Sequence, residues 1–547
     1  MKILAIQPPL EAGEVRRPGS RLFPWGFATV MKLLEDDGHE IIVLDIWAED
    51  MIKHEVEDAL DGLTYDAVCV TGFASVNYFY QTWLSPQIRK RSKAPIIIGG
   101  LLSDLHFDLL LKNDLADICV IGEGEATSPD LFRNLDNLAA VDGIAYLKDG
   151  ELKQTKPREL IKDLDDLPMP NFDIWNMDIY TRVKMYAHDS STKFEEFELG
   201  VDPDDLWPGM VFLAGRGCPF RCKFCKRSFD SYRLKSIDRV MHEVKYLKER
   251  YGLKSAHFSD ETLIFKKRRT LEFAAAMKEL DIYWDGQARI DTIDKETMYA
   301  LKDANCLSIG FGVESGSDTM LKAMNKGITR AKALRVLADA REVGIHLKLQ
   351  FMGGYPGETK ETLAETVSLL KETKLPPRRL TWCTPMPGSA LYDEAKAAGK
   401  IEDEETFVKD LHQGYNRIDN VVLNVSGHSD EEMIRLFGWA HKEMHVNYMK
   451  VLFQDRKNVS RDRYLAFLYE TYRVVQLFYA NEWTVRDALV RRGLRLAHFI
   501  GRQFRFLFPA NPVSTNTAPP ESGSRSGHVE QPPGAMEEPD IVAATST

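Results

Sequence analysis

Short apolar runs alternate with amphipathic stretches over the first 145 residues of the chain. Five runs are rich in β-branched residues and apolar at almost every position: residues 2–6, 41–45, 66–71, 95–100 and 117–122. The stretches between them, such as 27–37 and 77–91, repeat apolar residues at the spacing of one helix face. Strands that are apolar throughout and separated by helices form parallel sheets covered on both faces. The pattern predicts a doubly wound α/β domain with its ligand crevice at the carboxyl ends of the strands.

A hairpin signal follows this first series. Two alternating segments flank Asp149-Gly150, a pair typical of tight turns between antiparallel strands. The sequence after the hairpin is irregular and includes the acidic stretch FEEFELGVDPDD. We therefore assign residues 1–145 to the first, Rossmann-like domain and residues 146–208 to a hairpin, linker and insertion.

A second alternating series begins at Met210. Six more strands are predicted, each followed by a connection in which helical patterns recur: residues 210–215, 255–260, 283–289, 306–312, 346–354 and 379–384. Six strands in this order indicate a partial parallel (β/α)6 barrel, which we assign to residues 209–430. The chemistry of such barrels lies on the loops that follow the strands.

The remainder of the chain changes character twice. Residues 431–508 are mostly helical in pattern, whereas residues 509–547 are rich in Pro, Ser, Thr and Gly and are predicted to be disordered. The segment 484–508 is a basic amphipathic helix in pattern. It would either pack on the acidic body of the protein or lie on an anionic membrane surface as a peripheral contact.

Composition narrows the class of protein. Apolar residues make up 44% of the chain and charged residues 28%, which is ordinary for a globular protein. The net charge of −11 argues against nucleic acid as the main partner. Seven cysteines in 547 residues do not form a disulfide framework, and four of them stand singly in apolar runs as expected for buried thiols. With no signal peptide pattern and no long apolar run, we expect a cytoplasmic protein.

The other three cysteines lie close together in GRGCPFRCKFCKRS. Cys218, Cys222 and Cys225 have the spacing C-x3-C-x2-C, amid basic residues and directly after the first predicted barrel strand. Thiolates are soft ligands that suit zinc or iron–sulfur clusters. A structural zinc needs a fourth protein ligand, but the nearest downstream histidines, His242 and His257, fall inside the predicted barrel core. Three thiolates on a four-iron cubane leave one iron open for a substrate, and the basic residues offset the cluster's negative charge.

The motif CPFRCKFC, with an aromatic residue before its third cysteine, resembles that of the radical S-adenosylmethionine (SAM) superfamily. The resemblance implies that the three cysteines bind a 4Fe–4S cluster and that SAM chelates the open iron. Reductive cleavage of SAM would give a 5′-deoxyadenosyl radical that removes a hydrogen atom from the substrate. The cofactor carries this chemistry, while the protein positions it and excludes water.

Further segments at the ends of later strands, namely SDET, QARID, GFGVESGS and FMGGYPGET, also resemble this superfamily. SDET departs from the usual pattern because it lacks a glycine pair. The resemblance assigns contacts to SAM and its cluster to Phe224, Asp260, Glu261, Arg289, Glu314, Ser315, Gly353 and Gly354. Structural alternatives are a salt bridge for Arg289, a helix N-cap for the Glu314 segment and a turn for the two glycines.

The first domain resembles the cobalamin-binding domain that precedes the barrel in one large class of radical SAM enzymes. QPP after the first strand takes the place of a dinucleotide-binding G-x-G-x-x-G, so NAD is disfavoured. The glycines of TGFAS, GG and GEGE line the expected carboxyl edge and leave room for a large flat ligand. QPP near the start, the GG after strand four and GEGE after strand five carry the resemblance. It implies cobalamin contacts from these residues: Ser75, Gly99, Gly100, Glu123 and Gly124. The alternative is a domain that keeps the fold without binding cobalamin.

One motif of cobalamin proteins is incomplete in this chain. Asp104-Leu105-His106 begins the D-x-H-x-x-G motif that supplies a histidine to cobalt, but Leu109 stands where glycine belongs. We therefore predict that His106 is a surface histidine near a helix start, and that cobalt receives no protein imidazole.

These resemblances imply a cobalamin-dependent radical SAM enzyme that functionalises an unactivated carbon, with methyl transfer as the leading hypothesis. One alternative is cobalamin-assisted oxidative cyclisation of a tetrapyrrole-like substrate, and another is a radical SAM enzyme that does not use cobalamin. A non-enzymatic alternative is a cobalamin-binding sensor with a structural metal loop. The expected partners are a small-molecule, lipid-like or tetrapyrrole substrate and a small reduced electron-donor protein.

Overall fold

Two parallel sheets with flanking helices form the body of the protein. The computed structural model describes residues 1–9, 21–181, 201–378, 380–414 and 421–454. The predicted helical segment beyond residue 454, the amphipathic stretch 484–508 and the tail 509–547 lie outside the described residues.

The first sheet has seven strands in the order β2-β1-β3-β4-β5-β6-β7. Strands β1 to β5 pair in parallel, and β6 and β7 continue the sheet in antiparallel fashion. The strands are β1 Lys2–Gln7, β2 Glu40–Asp45, β3 Ala67–Thr71, β4 Ile96–Gly99, β5 Ile118–Val120, β6 Ile144–Lys148 and β7 Glu151–Gln154. The helices are α1 Trp25–Asp36, α2 Lys53–Asp61, α3 Asn77–Arg91, α4 Leu101–Lys112 and α5 Gly124–Arg133. The doubly wound architecture predicted from the apolar runs is confirmed.

Strand β1 illustrates why these runs form a covered sheet. Ile3 and Leu4 are both fully buried, yet they belong to different hydrophobic clusters. Because successive side chains of a strand point to opposite faces, an uninterrupted apolar run fills a core on each side of the sheet. The hairpin was also predicted correctly: Asp149 and Gly150 both have positive φ, as a two-residue turn of this kind requires.

The second sheet has six parallel strands in the order β15-β14-β13-β12-β11-β8. They are β8 Gly209–Phe212, β11 Ser255–Phe258, β12 Tyr283–Ala288, β13 Cys306–Glu314, β14 His346–Gly353 and β15 Leu380–Trp382. Two short strands, β9 Gly215–Arg216 and β10 Arg233–Leu234, pair separately and antiparallel. Within the described residues β8 and β15 are edge strands, so the sheet forms a partial barrel as predicted.

Helices connect and cover these strands. They are α6 Met177–Tyr180, α7 Ile237–Tyr251, α8 Lys267–Leu280, α9 Lys295–Asp303, α10 Asp318–Ala323, α11 Arg330–Val343, α12 Lys360–Thr373, α13 Ala390–Ala397, α14 Glu404–Gly414 and α15 Asp430–Gln454. Local signals set several ends. The Ser236 side chain caps α7 by accepting from the Arg239 N–H, and Gly252 ends the helix in the left-handed conformation.

Helix α15 lies beside the edge strand β15. The Leu380 N–H donates to His441 Nε2 at 3.2 Å, and the His441 Nδ1–H donates to the Phe437 carbonyl. The Phe437 ring packs 4.4 Å from the Trp382 ring. None of the helices in the described ranges is both long and apolar enough to cross a membrane.

Candidate functional site

The three clustered cysteines lie on a loop held at its base by β9 and β10. Arg216 pairs with Arg233 in this ladder, directly before the loop begins. Gly217 follows with φ of +76°, and a Cβ there would lie 2.0 Å from the Ser231 carbonyl oxygen. Only glycine fits this position, so the sequence GRGC fixes how the loop closes.

The thiols of the loop meet residues from several barrel strands. Cys218 Sγ lies 3.3 Å from Thr262 Oγ1, and Cys222 Sγ lies 3.9 Å from Arg289 Nη1. Burial raises the pKa of Cys222, while the positive charges of Lys326 and Arg289 act in the opposite direction. The net shift of the pKa is upward, so these cations offset part of the cost that burial places on the thiolate form that a metal ligand requires.

The donor set distinguishes a cluster from a single ion. Across the ranges that the structure describes, no three His, Cys, Asp or Glu side chains are arranged to hold one metal ion. A four-iron cubane offers a separate iron to each thiolate, so its ligands surround a volume rather than converge on a point. Three thiols with nearby cations fit such a cluster.

Arg289 and Glu314, both predicted SAM contacts, lie near Cys222 and are linked through Lys326. The Arg289 guanidinium lies 4.0 Å from the centre of the Phe220 ring and donates to the Lys326 carbonyl. The Lys326 ammonium pairs with Glu314 at 2.8 Å, and both side chains are buried. Arg289 also pairs with Asp291 at 2.7 Å, so the salt-bridge alternative describes part of its role.

Sequence reasoning missed Lys326, because a lysine beside a glycine turn carries no signal of a buried ion pair. The Glu314 backbone has φ of +66°, which is uncommon for a residue other than glycine. A register shift between β13 and β14 accompanies it. The irregular backbone and the buried Lys326 partner both belong to Glu314, which the sequence had assigned to SAM binding.

Asp260 and Glu261 bracket the loop from the end of β11. Both Asp260 oxygens accept from the Ala214 N–H at 3.0 Å, and burial raises the Asp260 pKa to about 6. Glu261 accepts from the Ser228 N–H at 2.6 Å. The two carboxyls are therefore fixed by backbone N–H groups on either side of the cysteine loop.

Three other predicted contacts are engaged with protein. The buried Ser315 hydroxyl lies 3.2 Å from Thr366 Oγ1 and accepts from the Ser317 N–H. A Cβ on Gly353 would lie 2.4 Å from the Phe437 ring, and one on Gly354 would lie 3.1 Å from the Trp382 ring. The two glycines thus make room for aromatic side chains of the chain itself.

A cavity of about 1100 Å³ joins the two sheets at their carboxyl ends. From the first sheet side it is lined by the predicted cobalamin contacts Ser75, Gly99, Gly100, Glu123 and Gly124. From the barrel side it is lined by Phe224, Asp260, Glu261 and Glu314, together with Cys225 of the loop. One space therefore brings together most residues that the two resemblances had assigned separately.

The first-sheet wall of this cavity has the features of a binding surface for a large group. Gly100 has φ of +83°, and a Cβ there would lie 2.7 Å from the Gly72 carbonyl oxygen. Gln7, at the end of β1, lines the cavity with a buried side-chain oxygen that accepts from no described residue. Since buried acceptors are normally paired, Gln7 fits a ligand with amide donors such as those around a corrin ring.

The prediction of His106 as a surface residue was wrong. His106 is 1% exposed, and its Nε2 lies 2.9 Å from the Ser75 hydroxyl oxygen. Burial lowers its pKa to about 4. His106 itself has a non-helical backbone conformation within α4, and its ring lies 6.4 Å from the Tyr78 ring. Ser75 lines the cavity, whereas His106 is not among its lining residues.

Comparisons with known proteins identify both parts of the chain. Residues 212–370 match the sequence model of the radical SAM superfamily, and residues 15–132 match that of the B12 binding domain. An uncharacterised methyltransferase of Pyrococcus horikoshii is 28% identical over 73% of this chain and 83% of its own length.

A second relative and one solved structure are also similar to this chain. The anaerobic magnesium-protoporphyrin IX monomethyl ester cyclase of Rubrivivax gelatinosus is 25% identical over 74% of this chain and 72% of its own. The solved structure of OxsB, a cobalamin-dependent SAM radical enzyme, matches with a TM-score of 0.60. It has 15% identity and covers 91% of this chain and 75% of its own. At that identity the likeness shows the fold.

Proposed function

From the premise that the chain is a radical SAM enzyme with a B12-binding domain, the family to which it belongs, we propose that it transfers methyl groups to an unactivated carbon. The observation that carries this proposal is the shared cavity. Cys225 of the cluster loop and the glycine edge of the first sheet line the same space. A methyl donor at one wall and a radical source at the other would reach one substrate there.

When bound, the 4Fe–4S cluster supplies an electron to SAM, and cobalamin supplies a carrier for the methyl group. Cys218, Cys222 and Cys225 would hold the cluster, and Arg289 would offset negative charge beside Cys222. Asp260 and Glu261 face the cavity as acceptors for the ammonium of SAM. Leu349, Phe351 and Trp382, from β14 and β15, line the cavity with apolar side chains that would limit the access of water to the reacting atoms.

A second candidate is oxidative cyclisation of a tetrapyrrole-like substrate with assistance from cobalamin. The relatives named as anaerobic cyclases favour it, because two of them align with about three quarters of this chain. The same cavity would serve, since the two reactions differ in what happens to the substrate radical rather than in how it is made.

The substrate is a small molecule, and we propose an apolar or tetrapyrrole-like one with polar groups at its edge. Apolar side chains such as Leu349, Phe351 and Trp382 line the barrel wall of the cavity, interspersed with charged and polar ones. A small reduced protein would deliver the electron. We also propose a cytoplasmic location, with the 484–508 segment as an optional contact with a membrane surface.

Turnover with SAM that carries a trideuterated methyl group tests the proposed reaction. The protein is purified without oxygen, reconstituted with iron, sulfide and cobalamin, and given a low-potential reductant. The first acceptor is magnesium-protoporphyrin IX monomethyl ester. Methyl transfer predicts 5′-deoxyadenosine, S-adenosylhomocysteine and a product with three deuterons. A product with fewer hydrogens and no deuterium would instead establish cyclisation. The Cys222→Ala variant should form none of these.

A further inference from the structure

A group of buried charges joins the cysteine loop to the first domain. Glu123 and Glu125, from the GEGE segment at the start of α5, meet Arg216 and Arg233, the paired residues at the base of the loop. We call these four residues the interdomain ion cluster. Both carboxylates are almost fully buried, and the two arginines are less than one fifth exposed.

Glu123 has no hydrogen-bonding capacity left for a cofactor. One of its oxygens accepts from Arg216 and from Arg233 at 2.9 Å. The other accepts from Arg233 at 2.9 Å and from the Ile161 N–H at 2.6 Å. The contacts to Arg216 and Arg233 lower the pKa of Glu123 against the effect of burial, so it is charged. Its polar atoms thus serve the protein rather than a ligand.

The arginines are fixed as firmly as the carboxylates. Arg216 pairs with Glu125 as well as with Glu123, and Arg233 also donates to the Ile161 carbonyl. The Arg216 and Arg233 guanidinium carbons lie 5.8 and 5.3 Å from the centre of the Phe229 ring, which belongs to the loop. A planar guanidinium held by carboxylates and an aromatic ring has little freedom to reorient.

The other half of the loop is attached to the barrel. The Lys223 N–H donates to the Met324 carbonyl, and the Leu391 N–H donates to the Lys223 carbonyl. Asn325 donates to the Arg221 carbonyl at 2.7 Å. The loop that carries the cysteines is therefore bonded at its base to the first domain and at its middle to the barrel.

We propose that Glu123 and Glu125 are positioning residues that set the place of the iron–sulfur cluster relative to the cobalamin domain. They act through Arg216 and Arg233 and touch no reacting atom. The proposal goes beyond the proposed function, because it requires the two cofactors but holds equally for methyl transfer and for cyclisation.

The barrel supplies a matched control in Glu243 of α7. This carboxylate is as buried as that of Glu123 and also pairs with two cations, Lys235 at 2.7 Å and Arg239 at 2.8 Å. All three residues of this second ion group lie on the barrel side of the chain. Glu123→Gln and Glu243→Gln therefore remove the same charge from similar surroundings, but only Glu123→Gln removes a carboxylate that is itself bonded across the domains. Lys235 of the control group meets the first domain through a ring contact with Trp25 at 5.3 Å.

The test measures the distance between cofactors in the reconstituted full chain. Cob(II)alamin and the reduced cluster each carry an unpaired spin, so pulsed electron paramagnetic resonance reports their dipolar coupling. We expect one narrow coupling distribution for the native chain and for Glu243→Gln, and a shifted or broadened one for Glu123→Gln at equal iron and cobalt content. An unchanged distribution in Glu123→Gln, or an equal change in Glu243→Gln, would overturn the proposal.

A second measurement applies if Glu123→Gln fails to retain either cofactor. Amide hydrogen exchange on the cofactor-free chain reports the opening of β9 and β10 directly. We expect exchange in the 215–235 peptides to accelerate at least severalfold in Glu123→Gln and to stay near native in Glu243→Gln. Equal exchange in the two variants would contradict a positioning role. Neither measurement depends on turnover, so a failed methyl transfer assay leaves the result intact.

Discussion

Replacing Gly217 by alanine isolates the contribution of loop closure to cluster binding. Two effects add at this position. A left-handed backbone costs an alanine about 1–2 kcal/mol, and the added Cβ would lie 2.0 Å from the Ser231 carbonyl oxygen and 3.0 Å from that of Phe229. Overpacking of this kind adds about 1–3 kcal/mol. The two effects together destabilise the closed loop by roughly 2–5 kcal/mol. Separation of β9 from β10 would relieve this strain.

Gly252, at the end of α7, is the matched control. Its φ is +66°, but a Cβ there would meet no atom within 4 Å. Gly252→Ala should therefore show only the backbone contribution of about 1–2 kcal/mol. Both variants replace a glycine of left-handed backbone conformation by alanine, and the comparison between them isolates the steric clash.

Iron content and hydrogen exchange are the assays. After identical reconstitution, Gly217→Ala should retain well under half of the native iron, whereas Gly252→Ala should load fully. The Lys235 amide, which donates to the Ala214 carbonyl behind the loop, should exchange faster only in Gly217→Ala. Equal iron content in both variants would refute the reasoning, because the loop would then tolerate the clash without opening.

Three further predictions concern the charges and thiols of the site. Alanine at any one of the three loop cysteines should abolish the visible absorption of the cluster. Cys383→Ala, which removes a buried thiol outside the loop, should leave that absorption unchanged. Lys326→Met should cost about 3–5 kcal/mol of stability, because it leaves Glu314 buried without its partner. Thermal unfolding of Lys326→Met combined with Glu314→Gln should recover most of that loss, and no recovery would contradict a direct pair. The Asp260 pKa of about 6 lies above the ordinary 3.8, so the folded state binds the extra proton. This carboxyl therefore destabilises the cofactor-free fold increasingly as the pH rises from about 4 to about 6. In Asp260→Asn, thermal denaturation curves should lose that part of the pH dependence, and an unchanged profile would assign it to another group.

Strand positions were predictable because a strand that is buried on both faces appears in the sequence as an uninterrupted apolar run. The segments 2–6 and 255–260 correspond to β1 and β11 within two residues at each end. The cysteine spacing likewise defines the donor set without any structural information. These features can be recognised from the sequence alone because each depends on residues that are close together in the chain.

The contacts of the site were less predictable, since they depend on residues far apart in the chain. His106 is buried and interrupts α4 with a non-helical backbone conformation, which periodicity does not reveal. Glu123 was expected to meet a cofactor, but its partners Arg216 and Arg233 follow it by about a hundred residues. Ion pairing at such separation becomes visible only when the two sheets are brought together.

The covering of β15 by α15 has a consequence for the behaviour of the chain in solution. A partial barrel leaves an edge strand whose backbone donors would otherwise template pairing with another molecule. His441 occupies one such donor, and the Phe437 and Trp382 rings fill the space beside it. A chain ending before Asp430 would expose this edge. It should therefore self-associate at concentrations where the full chain stays dispersed.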